Sequence, residues 1–318
     1  MTVPVGYFWN PALAQRRTGL FCPERPERCT VLEPERAFAE AGVPLHAAGF
    51  VARDEEILAP VHDADYVARV RDAHRRGPRF LDAGDTEVTP DVFPQALLAA
   101  SAGCTALDEI LAGRMTAAFC AVRPPGHHAN RMRALGFCVF NNTAVAAAYA
   151  RARHGVQRVL ALDWDVHPGN GTQEIFFDDP SVFTLSIHQA DLFPEAGREE
   201  LIGRGAGAGF NRNVPVAPGT SAETYLSRLA DALTATAAAF RPELLLIAAG
   251  FDAHRSDPAS ALPLEEAHFA RMTHLAIEAT RRSTGGRTLS LLEGGYSLGA
   301  LGPSVAAHVR ALHEALHR

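Results

Sequence analysis

The sequence predicts an α/β fold with a single open, mostly parallel sheet that is covered by helices on both faces. Short β-rich runs alternate along the chain with longer helical patterns. The runs are apolar almost throughout, which is typical of strands buried on both faces of a parallel sheet. Polar motifs begin where these runs end, as expected at the carboxyl edge of such a sheet. We expect residues 1–318 to form a single domain.

The predicted strands follow one another in chain order, and each depends on its own apolar run. The first two runs are AAFCAV and RVLALDWD, and the later ones are SVFTLSI, ELLLIAAG and RTLSLLEGG. These strands occupy 117–122, 158–165, 181–187, 243–250 and 287–295. The longer helical patterns occupy 94–113, 142–154, 222–240, 264–283 and 303–317.

Polar motifs follow the ends of four predicted strands. They begin at Arg123, Asp165, Asp252 and Tyr296. Because the carboxyl ends of parallel strands share one edge of a sheet, segments that are distant in the chain can converge there. The sequence therefore predicts one pocket to which all of these motifs contribute.

The composition indicates an ordinary globular protein. Of 318 residues, 47% are hydrophobic and 21% are charged, so the chain can bury a large core. The formal net charge of −6 gives no general basic field, and we expect no nucleic-acid partner. All basic residues other than histidine are arginine. The absence of lysine excludes a pyridoxal-phosphate Schiff base, a lysine nucleophile and a P-loop lysine.

Cysteine usage and the N-terminal sequence predict a cytoplasmic protein. The five cysteines are scattered without a C-x-x-C pair, as expected of reduced thiols. The N-terminus lacks a basic stretch followed by an apolar segment. No run reaches the roughly 18 apolar residues that a membrane span needs, so we expect no membrane association.

An Asp-x-Asp-x-His element at the end of a predicted strand indicates a metal site. Alternate residues of an extended segment point the same way, so Asp163, Asp165 and His167 would line one face. With Asp252 as a third ligand, Asp165 and His167 would leave one coordination position open, which is the mark of a catalytic metal. These donors suit Zn²⁺, and Fe²⁺ or Co²⁺ could use them as well. The alternative is a buried hydrogen-bonded Asp165–His167 pair, with Asp252 capping a turn.

Two further elements carry groups for proton transfer and carbonyl activation. His127 and His128 follow PPG at a strand end, where adjacent rings can serve different atoms of one reaction. Tyr296 follows EGG, whose glycines let the backbone approach a pocket closely, so its phenol could donate to a carbonyl. Taken singly, the histidines would be a polar loop pair and the tyrosine a core or turn residue.

The chain resembles the histone deacetylase and acetylpolyamine amidohydrolase superfamily, and within it the class II-like bacterial enzymes. The segments that carry the resemblance are, in order, RPPGHHA, ALDWDVHPGNG, AAGFDAHRSDP and EGGY. The likeness extends from Pro23 beyond EGGY, so it covers most of the chain. It implies an arginase/deacetylase-like fold and a hydrolase of linear amide bonds with one Zn²⁺ per chain. Its zinc ligands would be Asp165, His167 and Asp252.

The resemblance also implies roles for individual residues. His128 would be the general base, and His127, oriented by Asp163, would supply electrostatic stabilisation. Tyr296 would polarise the substrate carbonyl. Asn170 would stand behind His128, as an amide where many relatives have either an aspartate or an asparagine.

Further positions are assigned around this centre. Phe137 and Phe193 match the aromatic walls of the family's substrate tunnel. Asp257, in SDP, is expected to help build the loop that presents Asp252. Ser186 resembles a position that contributes to a structural monovalent-cation site, which implies K⁺.

These motifs predict an enzyme that removes an acetyl or other acyl group from the side-chain amine of acyl-lysine in a peptide or protein. The nearest alternative is deacetylation of a small acetylated polyamine, which needs the same chemistry. Ala259 stands where polyamine-selective members of one subgroup carry a glutamate, so that particular device is missing. Two more distant alternatives are a ureohydrolase, whose family resembles Asp-x-His-x-Asp with two manganese ions, and a non-catalytic acyl-amine binding protein. The sequence leaves a homo-oligomer open.

Overall fold

An eight-stranded sheet forms the centre of the fold. The computed structural model describes residues 5–19, 21–82 and 84–317. The strands are Val5–Phe8 (β1), Leu45–Ala48 (β2), Ala117–Cys120 (β3), Val159–Asp163 (β4), Val182–Gln189 (β5), Asn211–Val216 (β6), Leu244–Ala249 (β7) and Thr288–Leu292 (β8). They lie in the order β2-β1-β3-β8-β7-β4-β5-β6, and every pair of neighbours is parallel. The predicted open, parallel sheet is confirmed.

Nine α-helices are present among the described residues, and the longest of them cover the sheet in two groups. They are Glu27–Thr30 (α1), Pro34–Ala41 (α2), Ala64–Arg76 (α3), Val92–Leu111 (α4), Asn142–His154 (α5), Asn170–Phe176 (α6), Ala222–Phe240 (α7), Glu266–Thr284 (α8) and Leu298–Leu316 (α9). Helices α4 and α5 pack together against β3, β4, β7 and β8, whereas α7, α8 and α9 pack in succession against β1, β5, β6 and β7. Strands β3, β4, β5, β7 and β8 are buried at every position, which explains their apolar runs. Among the described helices, none has both the length and the apolar character that crossing a bilayer requires.

The predicted inner elements agree with the structure to within a few residues. Helices α5 and α7 coincide with the predicted 142–154 and 222–240. The prediction missed β1, β2 and β6, of which β2 and β6 form the edges of the sheet. Strand β2 is half-buried or exposed throughout, and β6 begins with Asn211, Arg212 and Asn213. Neither edge strand has the continuous apolar run that identifies the inner strands.

The helices also differ from the prediction in two places. Helix α9 was predicted to begin at residue 303, but it begins at Leu298. Pro303 therefore lies inside the helix, where a proline is usually not tolerated, and not in its first turn. Helix α3 was not predicted, although Tyr66, Val70 and Ala73 form a buried stripe at helical spacing. The short helices α1, α2 and α6 were missed as well.

His62 is a buried histidine whose hydrogen bonds fix its tautomer. Its Nδ1 lies 2.9 Å from the carbonyl oxygen of Asn130, and the backbone amide of Asn141 donates to its Nε2 at 2.9 Å. Nδ1 therefore carries the proton, and the ring is neutral. Burial lowers the pKa of His62 to about 4. Protonation of Nε2 would break the bond from Asn141, the residue that caps the N-terminus of α5.

We expect His62 to make the protein less stable in acid. Between pH 6.5 and about pH 4, the unfolded chain binds a proton at this side chain and the folded chain does not. The free energy of unfolding therefore falls as the pH falls through this window. At about 1.4 kcal/mol per pKa unit, the loss is on the order of 3 kcal/mol.

Urea unfolding between pH 7 and pH 4 checks this expectation. The variant His62→Gln keeps a donor and an acceptor but does not titrate, so its stability should change less with pH. His74→Gln, on the exposed side of α3, is the control and should follow the wild type. An unchanged pH slope in His62→Gln would contradict the prediction.

Candidate functional site

Four neighbouring strands end at one cavity. Strands β3, β8, β7 and β4 are adjacent in the sheet, and the loops that follow them carry the polar motifs. The cavity has a volume of about 350 Å³. Its lining consists of Pro23, Asp85, His128, Gly136, Phe137, His167, Phe193, Pro258, Ala259 and Tyr296. Segments that are far apart in the chain therefore converge at the carboxyl edge of the sheet.

Asp165, His167 and Asp252 form a buried cluster of potential metal ligands. Each offers one ligand atom, and these atoms all lie within 4.8 Å of one another. Nδ1 of His167 is 2.9 Å from Oδ1 of Asp165 and 3.2 Å from Oδ2 of Asp252. Oδ1 of Asp252 accepts a hydrogen bond from the Val166 amide, whereas its buried Oδ2 accepts none from the described residues. A buried carboxylate oxygen that accepts no hydrogen bond and faces an imidazole nitrogen at 3.2 Å is a position for a cation that both atoms could bind.

Gly294 makes room for these two carboxylates. Its amide donates to Oδ2 of Asp165 at 2.7 Å. A Cβ atom at this position would lie 2.0 Å from Oδ2 of Asp252 and 2.5 Å from Oδ2 of Asp165. Any side chain here would displace the cluster, which explains why a glycine is needed before Gly295 and Tyr296.

The cluster has an excess of negative charge. Burial raises the pKa of Asp252, and the neighbouring Asp165 carboxylate adds to this effect, so that the pKa is about 7. Burial disfavours the charged form of His167, but contacts with both carboxylates outweigh it and raise its pKa to about 10. Two buried carboxylates thus share a single positive charge, and a further cation would be stabilised between them.

The tandem histidines have different hydrogen-bond partners. Nδ1 of His127 is 2.9 Å from Oδ2 of Asp163, the last residue of β4, and its Nε2 is 3.8 Å from Oδ1 of Asp165. Nδ1 of His128 is 2.7 Å from Oδ1 of Asn170, at the start of α6. Because this amide oxygen can only accept, Nδ1 of His128 carries the proton and Nε2 is left as an acceptor.

The same surroundings move the pKa values of the two rings in opposite directions. Burial disfavours the charged form of His127, but the carboxylates of Asp163 and Asp165 outweigh it and raise its pKa well above the usual range. Burial lowers the pKa of His128, and the neighbouring His127 and His167 rings lower it further. His127 is therefore an imidazolium and His128 a neutral imidazole, an arrangement that separates a cation from a base.

Tyr296 is held at the cavity by its backbone and by its ring. Oδ2 of Asp257 accepts hydrogen bonds from the amides of Tyr296 and Ser297 at 2.6 and 2.8 Å. The guanidinium of Arg28 lies over the Tyr296 ring, 5.0 Å from its centre. Asp257 was expected to help build the loop that presents Asp252. Its Oδ1 accepts a hydrogen bond from the Ala259 amide at 3.1 Å within that loop, and its Oδ2 connects the loop to Tyr296. Burial raises the pKa of Tyr296 well above its usual range, so the phenol remains a donor.

Two aromatic side chains flank the entrance to the cavity. The Phe193 ring lies 5.4 Å from the His128 ring, and the Phe137 ring lies 6.0 Å from the Tyr296 ring. Phe193 remains 42% exposed, which puts it at the outer end. Gly136 has a φ of 55°, and a Cβ there would lie 2.4 Å from Cδ2 of His128. This glycine allows the Phe137 segment to pass close to the His128 ring.

Comparison with known proteins identifies the family. The family model of the histone deacetylase domain matches residues 22–312. This chain belongs to the histone deacetylase family. The crystal structure of the HDA15 HD domain matches this histone deacetylase domain with a TM-score of 0.89 and 33% sequence identity, over 97% of this chain and 88% of that one. The resemblance that four short segments predicted is confirmed.

Several curated relatives support the assignment. A histone deacetylase-like amidohydrolase of Pseudomonas aeruginosa is 39% identical over 93% of this chain and 77% of the relative. A probable deacetylase of Archaeoglobus fulgidus is 37% identical over 90% of this chain and 74% of the relative. The polyamine deacetylase HDAC10 of Homo sapiens is 38% identical over 91% of this chain but only 44% of the relative. Membership of the family makes this chain a hydrolase that acts on amide bonds.

Two buried charged residues, Glu293 and Arg28, support the site of this histone deacetylase domain but were not predicted from the sequence. Oε2 of Glu293 accepts hydrogen bonds from the amides of Gly126 and His127 at 2.6 and 3.1 Å. The Arg28 guanidinium donates to the carbonyl oxygens of Glu293 and Gly295. Both residues lie in the part of the chain that resembles the family. Arg28 ends the PERPER segment, which begins at Pro23, and Glu293 begins EGGY, so these positions were the sequence signal that could have identified them.

Ser186 lies away from the main cavity of this histone deacetylase domain, beneath Asp163. Its hydroxyl is 2.8 Å from Nδ1 of His188, and together with Asp163 and Thr184 it lines a small internal cavity of about 10 Å³. Such a cavity has room for about one water-sized particle. A structural K⁺ at this position stays a prediction.

Proposed function

We propose that this histone deacetylase domain removes acetyl or other acyl groups from the side-chain amine of acyl-lysine, releasing a carboxylate and the free amine. The observation that carries the proposal is the shared cavity. The neutral His128, the potential metal ligand His167 and the phenol of Tyr296 all line it. The aromatic entrance between Phe137 and Phe193 suits a long aliphatic stem with an amide at its inner end.

Asp165, His167 and Asp252 fit a divalent metal ion. Their two oxygens and one nitrogen, the unpaired Oδ2 of Asp252 and the excess negative charge of the cluster all favour a cation. Zn²⁺, one per chain, is the proposed ion, and Fe²⁺ or Co²⁺ suit the same donors. When bound, such an ion supplies Lewis-acid polarisation of the scissile carbonyl. Because His167 must give up its proton to become a ligand, metal binding weakens as the pH falls.

The other residues of the cavity supply proton transfer and charge stabilisation. Nε2 of His128 accepts a proton from the attacking water and later gives it to the departing amine. The His127 imidazolium, held by Asp163, stabilises negative charge on the tetrahedral intermediate. The phenol of Tyr296 donates a hydrogen bond to the developing oxyanion.

Tyr296→Phe is expected to lower kcat by about a hundred- to a thousandfold, because one oxyanion donor contributes about 2.7 to 4 kcal/mol. KM should change little, since the donor acts mainly in the transition state. Steady-state kinetics of acetate release check this expectation. Tyr7→Phe is a matched control, because it also removes the hydroxyl of a buried tyrosine. The Tyr7 phenol donates to the Leu32 carbonyl and does not line the cavity, so kcat should be unchanged. A Tyr296→Phe variant with normal kcat would contradict the assigned role.

The substrate class is tested with metal-free protein reloaded with one equivalent of Zn²⁺. Acetate release from an acetyl-lysine peptide is compared with release from N-acetylated putrescine and spermidine. Turnover of the peptide supports the proposed function. Turnover of the polyamines alone would replace it with polyamine deacetylation, which the likeness to polyamine deacetylase HDAC10 favours. Acetate release from none of them would exclude an acetyl substrate and favour either another acyl group or the non-catalytic binding protein.

The lining of the cavity has one feature that favours the lysine substrate and one that suits a polyamine. Ala259, at the position where a charged gatekeeper would stand, lines the cavity and brings no charge to it. Asp85 lines the same cavity and is half-buried, so it could face one amine of a polyamine. The relative kcat/KM values of the peptide and the acetylated polyamines measure which of these features dominates.

A further inference from the structure

A second cluster of metal-binding side chains lies next to the first. His127, Cys138 and Glu293 each offer one ligand atom, and these atoms also lie within 4.8 Å of one another. The three residues are 2%, 0% and 0% exposed. Among the described residues, this is the only other group of this kind. It differs from the first group because it contains sulfur.

The hydrogen bonds of these residues leave atoms unused. Oε2 of Glu293 accepts from two backbone amides, but its buried Oε1 has no partner among the described residues. Nδ1 of His127 is occupied by Asp163, and its Nε2 lies 3.8 Å from Oδ1 of Asp165, beyond hydrogen-bonding distance. The hydrogen bonds by which Glu293 holds the backbone at Gly126 and His127 explain the burial of Oε2 only. It does not explain a buried, unpaired Oε1 beside an imidazole nitrogen and a thiol.

We propose that His127, Cys138 and Glu293 form a second metal site, for Zn²⁺ or another divalent ion that binds thiolate, and that its occupation stops turnover. One sulfur, one nitrogen and one oxygen donor suit Zn²⁺, Co²⁺ and Cd²⁺, whereas Mg²⁺ and Ca²⁺ prefer oxygen alone. Binding releases the thiol proton of Cys138 and the Nε2 proton of the His127 imidazolium, and both protons go to solvent.

The inhibitory part of the proposal rests on the proposed function of His127. An ion on its Nε2 takes the nitrogen that would otherwise carry the proton of the imidazolium. It also fixes the ring away from the reacting atoms. The enzyme should therefore respond to metal in two phases, with activation by the first equivalent and inhibition by the second.

Titration of the metal-free protein with Co²⁺ separates the two sites by their spectra. An oxygen and nitrogen site gives only weak visible bands, whereas a thiolate ligand adds a charge-transfer band in the near ultraviolet. We expect that band to rise with the second equivalent while acetate release falls. In Cys138→Ser the band and the inhibition should both be lost, and turnover at one equivalent should stay at the wild-type rate.

Cys104→Ser is the matched control. Cys104 is a buried thiol on α4 whose Sγ lies 3.7 Å from the Ala100 carbonyl, a contact that a serine hydroxyl can keep. This variant should retain the charge-transfer band and the inhibition. Glu293→Gln is a second test variant in case Cys138→Ser does not fold: it keeps an oxygen for the backbone amides but removes the charge, so the band should require more cobalt.

Three results would overturn the proposal or its inhibitory part. Wild-type protein that shows no thiolate band in excess Co²⁺ has no such site, and a band that persists in Cys138→Ser comes from another thiol. A band that depends on Cys138 without any loss of turnover would overturn the inhibitory role. Failure of the proposed function is a separate outcome, because no substrate would then be hydrolysed at one equivalent while the band would still form.

Discussion

Asp252→Asn is expected to abolish metal binding at the Asp165–His167–Asp252 cluster and to lower kcat by at least about a thousandfold, since Lewis-acid stabilisation contributes several kcal/mol and each 1.36 kcal/mol is a factor of ten. The asparagine keeps Oδ1 as an acceptor for the Val166 amide, so the loop should hold its conformation. It replaces the unpaired Oδ2 by an amide nitrogen, which cannot bind a metal. The measurements are metal content after dialysis and acetate release.

The stability of Asp252→Asn should also differ from that of the wild type, both without metal and with zinc. In the metal-free protein, Asp252 and Asp165 are two buried carboxylates, and burial together with this repulsion raises the pKa of Asp252 to about 7. Metal-free Asp252→Asn should therefore unfold at an equal or higher urea concentration than the metal-free wild type at neutral pH. In a Cys138→Ser background, which lacks the second proposed metal site, Zn²⁺ at a hundred times its Kd for the Asp165–His167–Asp252 cluster should stabilise the protein with Asp252 by about 2.7 kcal/mol. It should leave the protein with Asp252→Asn unchanged.

Asp178→Asn is the control for these measurements, because this exposed aspartate pairs with Arg204 at the surface. It should bind metal and turn over substrate like the wild type. In a Cys138→Ser background, which lacks the second proposed metal site, stoichiometric zinc in purified Asp252→Asn, or stabilisation of that variant by zinc, would contradict the assignment of Asp252 as a ligand.

His128→Gln should lower kcat by about a hundred- to ten-thousandfold, the usual contribution of general acid–base catalysis. Glutamine can keep the hydrogen bond with Asn170 but cannot accept the proton of the attacking water. Burial and the neighbouring His127 and His167 rings hold the pKa of His128 well below its usual range, so the base remains available in mildly acidic buffer. The measurement is kcat as a function of pH.

The pH profile distinguishes a base from a residue that only shapes the cavity. In the wild type, kcat should fall at acidic pH when His128 binds a proton. In His128→Gln, the remaining kcat should not show this acid-side fall. His274→Gln, on α8 and outside the cavity, is the control and should keep both the rate and the profile. A His128→Gln variant within tenfold of the wild-type kcat would show that another group is the base.

The inner elements of the fold could be predicted from the sequence, and so could the candidate site residues. Strands β3, β4, β7 and β8 were found because they are buried on both faces, and such burial requires apolar residues at every position. The family resemblance was found because the ligands and the proton-transfer groups lie in short local segments such as Asp165-x-His167 and His127-His128. The role of each of these residues stays a prediction until the variants are measured.

The tertiary structure alone decided the edges of the sheet, the partners of the buried charges and the separation of the histidine pKa values. Asp257 holds the Tyr296 backbone, and Glu293 holds the His127 amide, across 39 and 166 residues of sequence. The family resemblance had already implied Asp163 as the partner of His127 and Asn170 as the partner of His128, and both contacts are present. The opposite pKa shifts of the two rings follow from these partners together with burial, which the resemblance did not give. Such effects depend on contacts between distant segments and on the loss of solvent around them, and neither is encoded in the local pattern of residues.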